Sequence, residues 1–272
     1  MLYGGAQNRR ITIKDLQEAK EGGHKWPMIT CYDALTAGIF DDAGFPVLLV
    51  GDSAAMVVFG YDSTIPVTVD DMLPLVAAVE RGSKRALVVA DLPFGSYQIS
   101  DAQALETATQ FMKQANAHAV KLEGGQSVVA QVKTLTNAGI AVMGHIGLTP
   151  QSVHGMGGYR VQGRGEQAET LLADALALQE AGAFAIVLEV VPAELAKGIS
   201  ETLTIPTIGI GAGRDTDAQV IVWQDLLGLG SEKPAKFVKQ YANLRSEITS
   251  AVKNWAQDVI TGAYPDEEHS YT

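Results

Sequence analysis

The sequence predicts an α/β protein folded as a single closed (β/α)8 (TIM) barrel, and three observations lead to this prediction. The chain has 272 residues, 47% of them hydrophobic, which matches the usual size of such a barrel. Eight short apolar runs, most of them alternating with helix-like segments, have the pattern of buried parallel strands. Polar residues end at least five of these runs, as expected where strand ends meet around one mouth. The alternative is an open doubly wound sheet, but this sequence lacks the glycine-rich fingerprint that such a fold carries after its first strand.

The strands are predicted from apolar runs bounded by turn residues, and the helices from helical spacing and capping side chains. The predicted strands are 27–32, 47–51, 86–90, 118–122, 140–144, 184–190, 207–210 and 219–223. The predicted helices between them are 33–43, 68–82, 100–116, 126–138, 165–181 and 192–201. A short N-terminal helix runs through Lys20, with Thr12 and Asp15 as its capping box.

Two long segments of the barrel are predicted as loops, and the end of the chain is predicted as a helical extension. Residues 54–67 fit neither a helix nor a strand, and glycines and polar side chains crowd residues 146–164. Loops this long inside a compact domain are usually functional or disordered. We predict one domain, with the barrel at about 27–230 and an amphipathic C-terminal helical extension at about 234–262.

Net charge and cysteine count argue against several classes of protein. The formal net charge is −11, so nucleic acid is not expected as a partner, because phosphate binding needs clustered Lys and Arg. The single cysteine, Cys31, excludes a disulfide within the chain, and its apolar surroundings predict a buried structural thiol. No signal peptide is evident, and no apolar run reaches the roughly 18 residues of a membrane helix. The sequence therefore predicts a cytoplasmic protein with no membrane partner.

Five ionisable residues lie at the ends of consecutive predicted strands, from the second to the sixth. They are Asp52, Asp91, Glu123, His145 and Glu189. Each residue alone is more typical of a helix cap or a turn, but a barrel brings all of them to one mouth. Carboxylates gathered there repel each other unless a cation or a proton compensates them. Oxygen ligands favour Mg²⁺ over zinc, so a magnesium site is predicted.

The chemistry expected at this mouth is enolate formation from a 2-oxo acid. The carboxylate and keto oxygens of the acid would complete the coordination of Mg²⁺, which polarises the keto group and stabilises the enolate. Lys121 points the same way as Glu123 on one strand, where it would neutralise the substrate carboxylate. Glu189 lies across the mouth and suits proton transfer. The glycines of TIGIGAG (207–213) are a weak sign of phosphate binding, and close packing is the more ordinary explanation.

A series of motifs resembles the ketopantoate hydroxymethyltransferase (3-methyl-2-oxobutanoate hydroxymethyltransferase) family over about residues 12–245. The motifs are MITCYD (28–33), LLVGDS (48–53), GYDSTIPVT (60–68), DLPFGSYQ (91–98), KLEGG (121–125), GHIGLTPQSV (144–153), GGYRVQGR (157–164), LEVVPAELA (188–196) and IGIGAG (208–213). The resemblance implies a (β/α)8 barrel that binds Mg²⁺. It also implies transfer of a one-carbon unit from the co-substrate 5,10-methylenetetrahydrofolate to 3-methyl-2-oxobutanoate, giving 2-dehydropantoate on the route to pantothenate and coenzyme A.

The same resemblance implies a role for each matching residue of the site. The implied magnesium ligands are Asp52, Asp91 and Glu123, the last directly or through water. The implied contacts to the 2-oxo acid are Asp52, Ser53, Asp91, Lys121 and His145. Glu189 is the implied catalytic residue, as the proton acceptor. Members of the family form rings of identical subunits, so a homo-oligomer, a decamer, is expected.

Two alternatives and one departure from the family stay open. A metal-dependent lyase or aldolase acting on another 2-oxo acid enolate would use the same carboxylates, and only the long motifs argue against it. A non-catalytic assembly protein would be expected to lack a metal carboxylate or Glu189, and all of these residues are present. The departure is Ala54-Ala55-Met56, where many relatives carry Leu-Gly-Met, in the loop beside the predicted metal.

Overall fold

Eight parallel strands close into a barrel in chain order, and the first strand pairs with the last. The computed structural model describes residues 9–231 and 233–272. The strands are β1 (Trp26–Thr30), β2 (Val47–Val50), β3 (Leu87–Asp91), β4 (Ala119–Glu123), β5 (Val142–Gly147), β6 (Ala185–Glu189), β7 (Thr207–Ile210) and β8 (Ala218–Ile221). The (β/α)8 barrel predicted from the sequence is therefore confirmed.

Helices alternate with these strands as the sequence predicts. The helices of the described residues are α1 (Ile13–Glu21), α2 (Ala34–Asp42), α3 (Ala54–Val57), α4 (Val69–Gly82), α5 (Asp101–Gln114), α6 (Val129–Asn137), α7 (Gln167–Glu180), α8 (Ala193–Thr202), α9 (Trp223–Leu226) and α10 (Leu244–Thr261). Short 3-10 turns occupy Gln126–Val128 and Pro150–Ser152. The predicted starts of α2, α4 and α5 are confirmed, because Asp33, Thr68 and Ser100 accept N–H groups that would otherwise be unpaired.

The inward side chains of the strands form the core, and α1 closes the end of the barrel at which the strands begin. Leu16 of α1 is buried in one apolar cluster with Trp26 and Met28 of β1. Lys20 of α1 also pairs with Asp217, just before β8, at 2.8 Å. These contacts cover the N-terminal end of the barrel, so the polar strand ends gather at the opposite, C-terminal end.

Most boundaries shift by one to three residues from the sequence predictions, and Trp223, predicted to end the last strand, begins α9. Three differences are more substantial. Residues 54–67 are not all loop, because α3 begins directly after Ser53. Strand β5 continues to Gly147 rather than ending at residue 144, so His145 lies within the strand. The C-terminal extension is not helical from residue 234, because α10 begins at Leu244. The N–H groups of Tyr241 and Leu244 donate to the carbonyls of Leu226 and Leu227, which makes them unavailable for helical hydrogen bonds further upstream.

The chain divides into two compact units, one ending at Val222 and one beginning at Trp223. Helix α10 belongs to the second unit and carries one apolar stripe of exposed side chains. The stripe consists of Ile248, Val252, Trp255 and Val259. Its expected packing against the barrel or a neighbouring subunit stays a prediction, as do the predicted domain boundaries. None of the helices in the described part of the chain is long and apolar enough to cross a membrane.

Cys31 follows β1 and is fully buried. Burial raises the pKa of its thiol to about 11, against the weaker lowering effect of the hydrogen bond with Thr36. A thiol of this kind is protonated at neutral pH and a poor nucleophile. The predicted buried thiol is therefore confirmed.

His118, just before β4, makes the stability of the fold depend on pH. Its Nδ1 accepts a hydrogen bond of 3.0 Å from the N–H of Val88 in β3. Burial, and then the positive charge of Arg10, lower the pKa of His118 from 6.5 to about 4. A lowered pKa means that the folded state prefers neutral His118. The stabilisation is therefore complete above pH 6.5 and is lost as the pH falls through about 4.

We expect this group to lower the free energy of unfolding by about 1–2 kcal/mol across that pH range, after allowance for solvent screening of its exposed part. Urea unfolding at several pH values measures the loss. His118→Asn keeps an acceptor for the Val88 N–H but does not titrate, so its stability should fall less than that of the unsubstituted protein. Equal losses in the two proteins would contradict the prediction.

Candidate active site

The C-terminal ends of β3 to β6 bring together the ionisable residues predicted from the sequence. Asp91, Glu123 and Glu189 are the last residues of β3, β4 and β6. Strand pairing sets Asp91 beside Lys121 and Glu123 beside His145. Because neighbouring residues in paired parallel strands point the same way, these side chains converge at the mouth of the barrel.

Lys121 and His145 connect the carboxylates into one network. Lys121 Nζ lies 2.7 Å from Asp91 Oδ1 and 3.2 Å from His145 Nδ1. His145 Nδ1 lies 3.3 Å from Glu123 Oε1, and its Nε2 lies 3.2 Å from Glu189 Oε2. Four of these five side chains are buried, and Glu189, whose side chain is 17% exposed, is the most exposed member.

Asp52 lies beside this network, two residues after β2. Its backbone N–H donates to Asp91 Oδ2 at 3.1 Å. Burial, and then the charges of Asp91 and Glu123, raise the pKa of Asp52 well above its ordinary value. Burial also raises the pKa of Asp91, although Lys121 opposes the shift. The two aspartates therefore hold more negative charge than Lys121 compensates, which favours the binding of a cation or a proton between them.

Glu123 and His145 differ from the two aspartates, because their surroundings favour the charged form of each side chain. Burial alone would raise the pKa of Glu123, but the hydrogen bond and charge of His145, together with Lys121, lower it overall. Burial and Lys121 act to lower the pKa of His145, yet Glu123 and Glu189 raise it to about 9. Lys121 also has a raised pKa, because three carboxylates outweigh its burial. At neutral pH the network therefore holds an ionised Glu123 with two cations.

Ser53 occupies the first position before α3 but makes no capping hydrogen bond with its side chain. Its hydroxyl instead lies 2.8 Å from the hydroxyl of Tyr32, which is buried. A Cβ atom at Gly51 would lie 2.8 Å from Ser53 Oγ. The glycine therefore avoids a steric clash with the Ser53 hydroxyl. Ser53 thus has an anchored hydroxyl beside Asp52, and its predicted contact with the substrate stays a prediction.

Three buried polar residues of the site were not predicted from the sequence. Tyr32 holds Ser53, as described above. Tyr97, after β3, donates from its hydroxyl to Gln151 Oε1 at 2.7 Å. Gln151, in the turn after β5, donates through Nε2 to Asp52 Oδ2 at 2.9 Å. Each of them lies inside one of the family motifs. Their position as polar residues within these motifs was the signal by which the sequence could have identified them as site residues.

The long loop after β5, which the sequence left open as functional or disordered, contributes residues near the mouth of the barrel. Gln151 is one contribution. Tyr159 is another, because partial burial and then the charges of Glu189 and Asp52 raise the pKa of its phenol. The N–H of Gln162 also donates to the carbonyl of Val190 at 3.0 Å. The loop is therefore attached to the residue that follows Glu189.

Val190 has a left-handed backbone, with φ of +50°, which is rare for a β-branched residue. The hydrogen bonds around it explain how this conformation persists. Its N–H donates to Ile210 of β7, and the Glu189 carbonyl accepts from Leu148 at 2.8 Å. A Cβ at Gly147 would lie 2.3 Å from the same carbonyl. Strain of roughly 1–3 kcal/mol is thus held in place directly beside Glu189.

The donor set fits Mg²⁺ without a complete protein cage. No group of three or more His, Cys, Asp and Glu side chains is arranged to hold a metal in the described part of the chain. Mg²⁺, however, usually takes only one or two carboxylates and fills its other positions with water and substrate oxygens. Asp52 and Asp91 meet that requirement, because they are buried carboxylates with uncompensated charge.

The glycines after β7 serve close packing. A side chain at Gly209 would lie 2.7 Å from Thr216 Oγ1, and one at Gly213 would lie 2.5 Å from Ala193 Cβ. These contacts support the packing explanation, and a phosphate site here stays an untested interpretation.

Solved structures with a similar fold include other enzymes. One is phosphonopyruvate hydrolase in complex with oxalate and Mg²⁺, with a TM-score of 0.61 and 12% identity over 95% of this chain and 93% of that chain. Another is phosphoenolpyruvate phosphomutase from Streptomyces platensis subsp. rosaceus, with a TM-score of 0.62 and 14% identity over 96% of this chain and 92% of that chain. At such identities the likeness concerns the fold alone.

Comparison with protein families gives a closer relationship. The family model for ketopantoate hydroxymethyltransferase matches residues 10–267. The 3-methyl-2-oxobutanoate hydroxymethyltransferase of Thermobifida fusca (strain YX) is 66% identical, over 99% of this chain and 96% of the relative. The protein of that name from Streptomyces coelicolor (strain ATCC BAA-471 / A3(2) / M145) is 60% identical, over 99% of this chain and 92% of the relative. The resemblance of the motifs is thus confirmed, and the chain belongs to the ketopantoate hydroxymethyltransferase family.

Proposed function

We propose that this protein transfers a hydroxymethyl group from 5,10-methylenetetrahydrofolate to 3-methyl-2-oxobutanoate, giving 2-dehydropantoate for pantothenate and coenzyme A synthesis. Similarity over nearly the whole chain to enzymes named for this reaction carries the proposal. The buried network of carboxylates, Lys121 and His145 supports it, since enolate chemistry on a 2-oxo acid requires a charged pocket next to a proton acceptor.

Asp52 and Asp91 would hold Mg²⁺, with Glu123 reaching it through water. When bound there, Mg²⁺ polarises the keto group of the substrate and stabilises the enolate. Glu123 Oε2 accepts a hydrogen bond from the backbone N–H of Gln151, and Oε1 faces His145 and Lys121. Asp91 also has protein contacts at both oxygens, so the indirect role of Glu123 rests on the family resemblance and not on these contacts.

The cations and hydroxyls of the site orient the 2-oxo acid. Lys121 neutralises the substrate carboxylate, and its burial strengthens that attraction. The Ser53 hydroxyl, fixed by Tyr32, donates to the same carboxylate. The substrate then lies between the aspartates and Glu189, with its C3 hydrogen toward Glu189.

Glu189 accepts the C3 proton, and protonated His145 orients the Glu189 carboxylate through Nε2 at 3.2 Å. The methylene carbon of the donor is bound to two nitrogens, and both carbon–nitrogen bonds break: water supplies the oxygen that this carbon keeps, and the enolate carbon forms the new carbon–carbon bond to it. The proton held by Glu189 and one proton of the water go to the two nitrogens, and tetrahydrofolate leaves. Glu189 is the most exposed member of the network, as expected for the group that meets the substrate.

The test is an assay of the purified protein with 3-methyl-2-oxobutanoate, 5,10-methylenetetrahydrofolate and Mg²⁺, in which mass spectrometry follows 2-dehydropantoate. We expect product only when all three components are present, and none after chelation of the metal. Absence of product from folded protein would overturn the proposal. Exchange of the C3 proton without product would instead favour the alternative, a magnesium-dependent lyase or aldolase for another 2-oxo acid.

We also propose a homo-oligomer, a decamer, in the cytoplasm, as the family resemblance implies. The exposed apolar stripe of α10 supports contact between copies of the chain, because isolated apolar stripes of this kind usually mark protein interfaces.

A further inference from the structure

We propose that Gln151 is a positioning residue that fixes the carboxylates of Asp52 and Glu123 in the arrangement that Mg²⁺ requires. The inference rests on the proposed function, because it concerns the metal site of that reaction. Gln151 lies in the 3-10 turn Pro150–Ser152, which begins three residues after the last residue of β5. Its side chain is buried, although the turn belongs to a loop.

The Gln151 side chain donates both of its amide hydrogens. Nε2 lies 2.9 Å from Asp52 Oδ2 and 3.0 Å from the carbonyl oxygen of Leu92. The first bond fixes the rotation of the Asp52 carboxylate. Because this bond is made to Oδ2, the cation is expected at the other oxygen of Asp52, Oδ1.

The backbone of Gln151 holds a second carboxylate. Its N–H donates to Glu123 Oε2 at 3.0 Å. One residue therefore contacts carboxylates that follow β2 and end β4, and it sets the distance between them. Groups that orient metal ligands in this way typically change metal affinity about 10–100-fold when they are removed.

The neighbouring amide of Gln98 determines which way the amide of Gln151 faces. Gln98 Oε1 accepts the N–H of Gly95 at 2.8 Å, so Gln98 Nε2 donates to Gln151 Oε1 at 3.2 Å, and the Tyr97 hydroxyl lies 2.7 Å from the same oxygen. An oxygen must therefore occupy that side, and the nitrogen must face Asp52. Tyr97 is itself buried and accepts the N–H of Glu123 at 3.1 Å.

The chemistry of the amide explains why glutamine suits this place. It donates to an anionic oxygen without adding charge to a site that already holds several ionised groups. A lysine at this position would compete with Mg²⁺ for Asp52, and a glutamate would repel the Asp52 carboxylate. Gln151 thus improves the geometry of the cation site and leaves its charge unchanged.

The test compares Mg²⁺ affinity, measured by isothermal titration calorimetry without substrate, in the unsubstituted full chain and in Gln151→Met. Methionine has similar size but cannot donate to Asp52. We expect the affinity to fall by about 10–100-fold. Excess Mg²⁺ should restore much of the lost rate, which a purely structural defect would not allow. Gln151→Asn, too short to reach Asp52 and Tyr97 together, serves if the methionine variant does not fold.

Ser152→Ala is the matched control, because Ser152 lies in the same turn and is exposed. It should bind Mg²⁺ as tightly as the unsubstituted protein. Unchanged affinity in folded Gln151→Met, or in Gln151→Asn if only that variant folds, would overturn the positioning role and leave the proposed function intact. Failure of the unsubstituted protein to bind Mg²⁺ would overturn both the positioning role and the metal site. Binding without 2-dehydropantoate would count against the proposed function alone.

Discussion

Glu189→Gln is expected to slow exchange of the C3 proton of 3-methyl-2-oxobutanoate into deuterated solvent by roughly 10²–10⁴-fold, the usual contribution of a general base. Glutamine keeps the size of the side chain and an oxygen for His145 Nε2, but it cannot accept the proton. Binding of Mg²⁺ and the 2-oxo acid should change little, because Asp52, Asp91 and Lys121 are untouched. Nuclear magnetic resonance of the substrate follows the exchange.

The control for this experiment is Glu194→Gln. Glu194 lies in the first turn of α8, only five residues along the chain, and it is exposed. The Glu194→Gln protein should exchange the C3 proton of the substrate at the same rate as the unsubstituted protein. An unchanged rate in Glu189→Gln would exclude Glu189 as the base, and a parallel loss of substrate affinity would show that it binds rather than reacts.

Asp91→Asn is expected to weaken the binding of Mg²⁺ and of the 2-oxo acid together. Asparagine can still accept the N–H of Asp52, but the cation loses one of its two carboxylates and Lys121 loses its closest ion pair, at 2.7 Å. Breaking a buried ion pair usually costs about 3–5 kcal/mol. Here the substitution also relieves the repulsion between Asp91 and Asp52. The free energy of unfolding of the metal-free protein should therefore fall by less than that amount.

Thermal unfolding separates these two effects. Mg²⁺ should raise the unfolding temperature of the unsubstituted protein, because a ligand that binds the folded state stabilises it. The increase should disappear in Asp91→Asn and persist in Asp215→Asn, a half-exposed carboxylate before β8. An equal increase in all three proteins would remove Asp91 from the metal site.

The sequence was sufficient for the barrel and for the residues that end its strands. Apolar runs identify strands locally, and parallel closure then brings their ends together, so Asp91, Glu123 and Glu189 could be placed without coordinates. The end of β5 could not, since Gly144 resembles a turn residue. In the structure a side chain at Gly144 would lie 2.9 Å from Leu178 Cδ1, so the glycine serves the packing of α7.

The residues that orient the site were beyond sequence reasoning for a different reason. Gln151 and its partner Asp52 are 99 residues apart, and loops rather than strands bring them together. No periodic pattern encodes such a contact. The start of α10 was missed because the N–H groups of Tyr241 and Leu244 donate to the carbonyls of Leu226 and Leu227, at the end of α9 and just after it. This contact too lies outside any local sequence pattern.

Buried Lys121 has a consequence for folding as well as for chemistry. Along β4 its neighbours Val120 and Leu122 face the opposite side of the strand. If β4 slipped by one residue against β3, Lys121 would turn toward the helices and leave its carboxylates. An unpaired ammonium in that apolar layer is strongly disfavoured. The charges that prepare the site for substrate therefore also select against misaligned barrels, so the chain reaches its most stable fold only with the reactive groups in place.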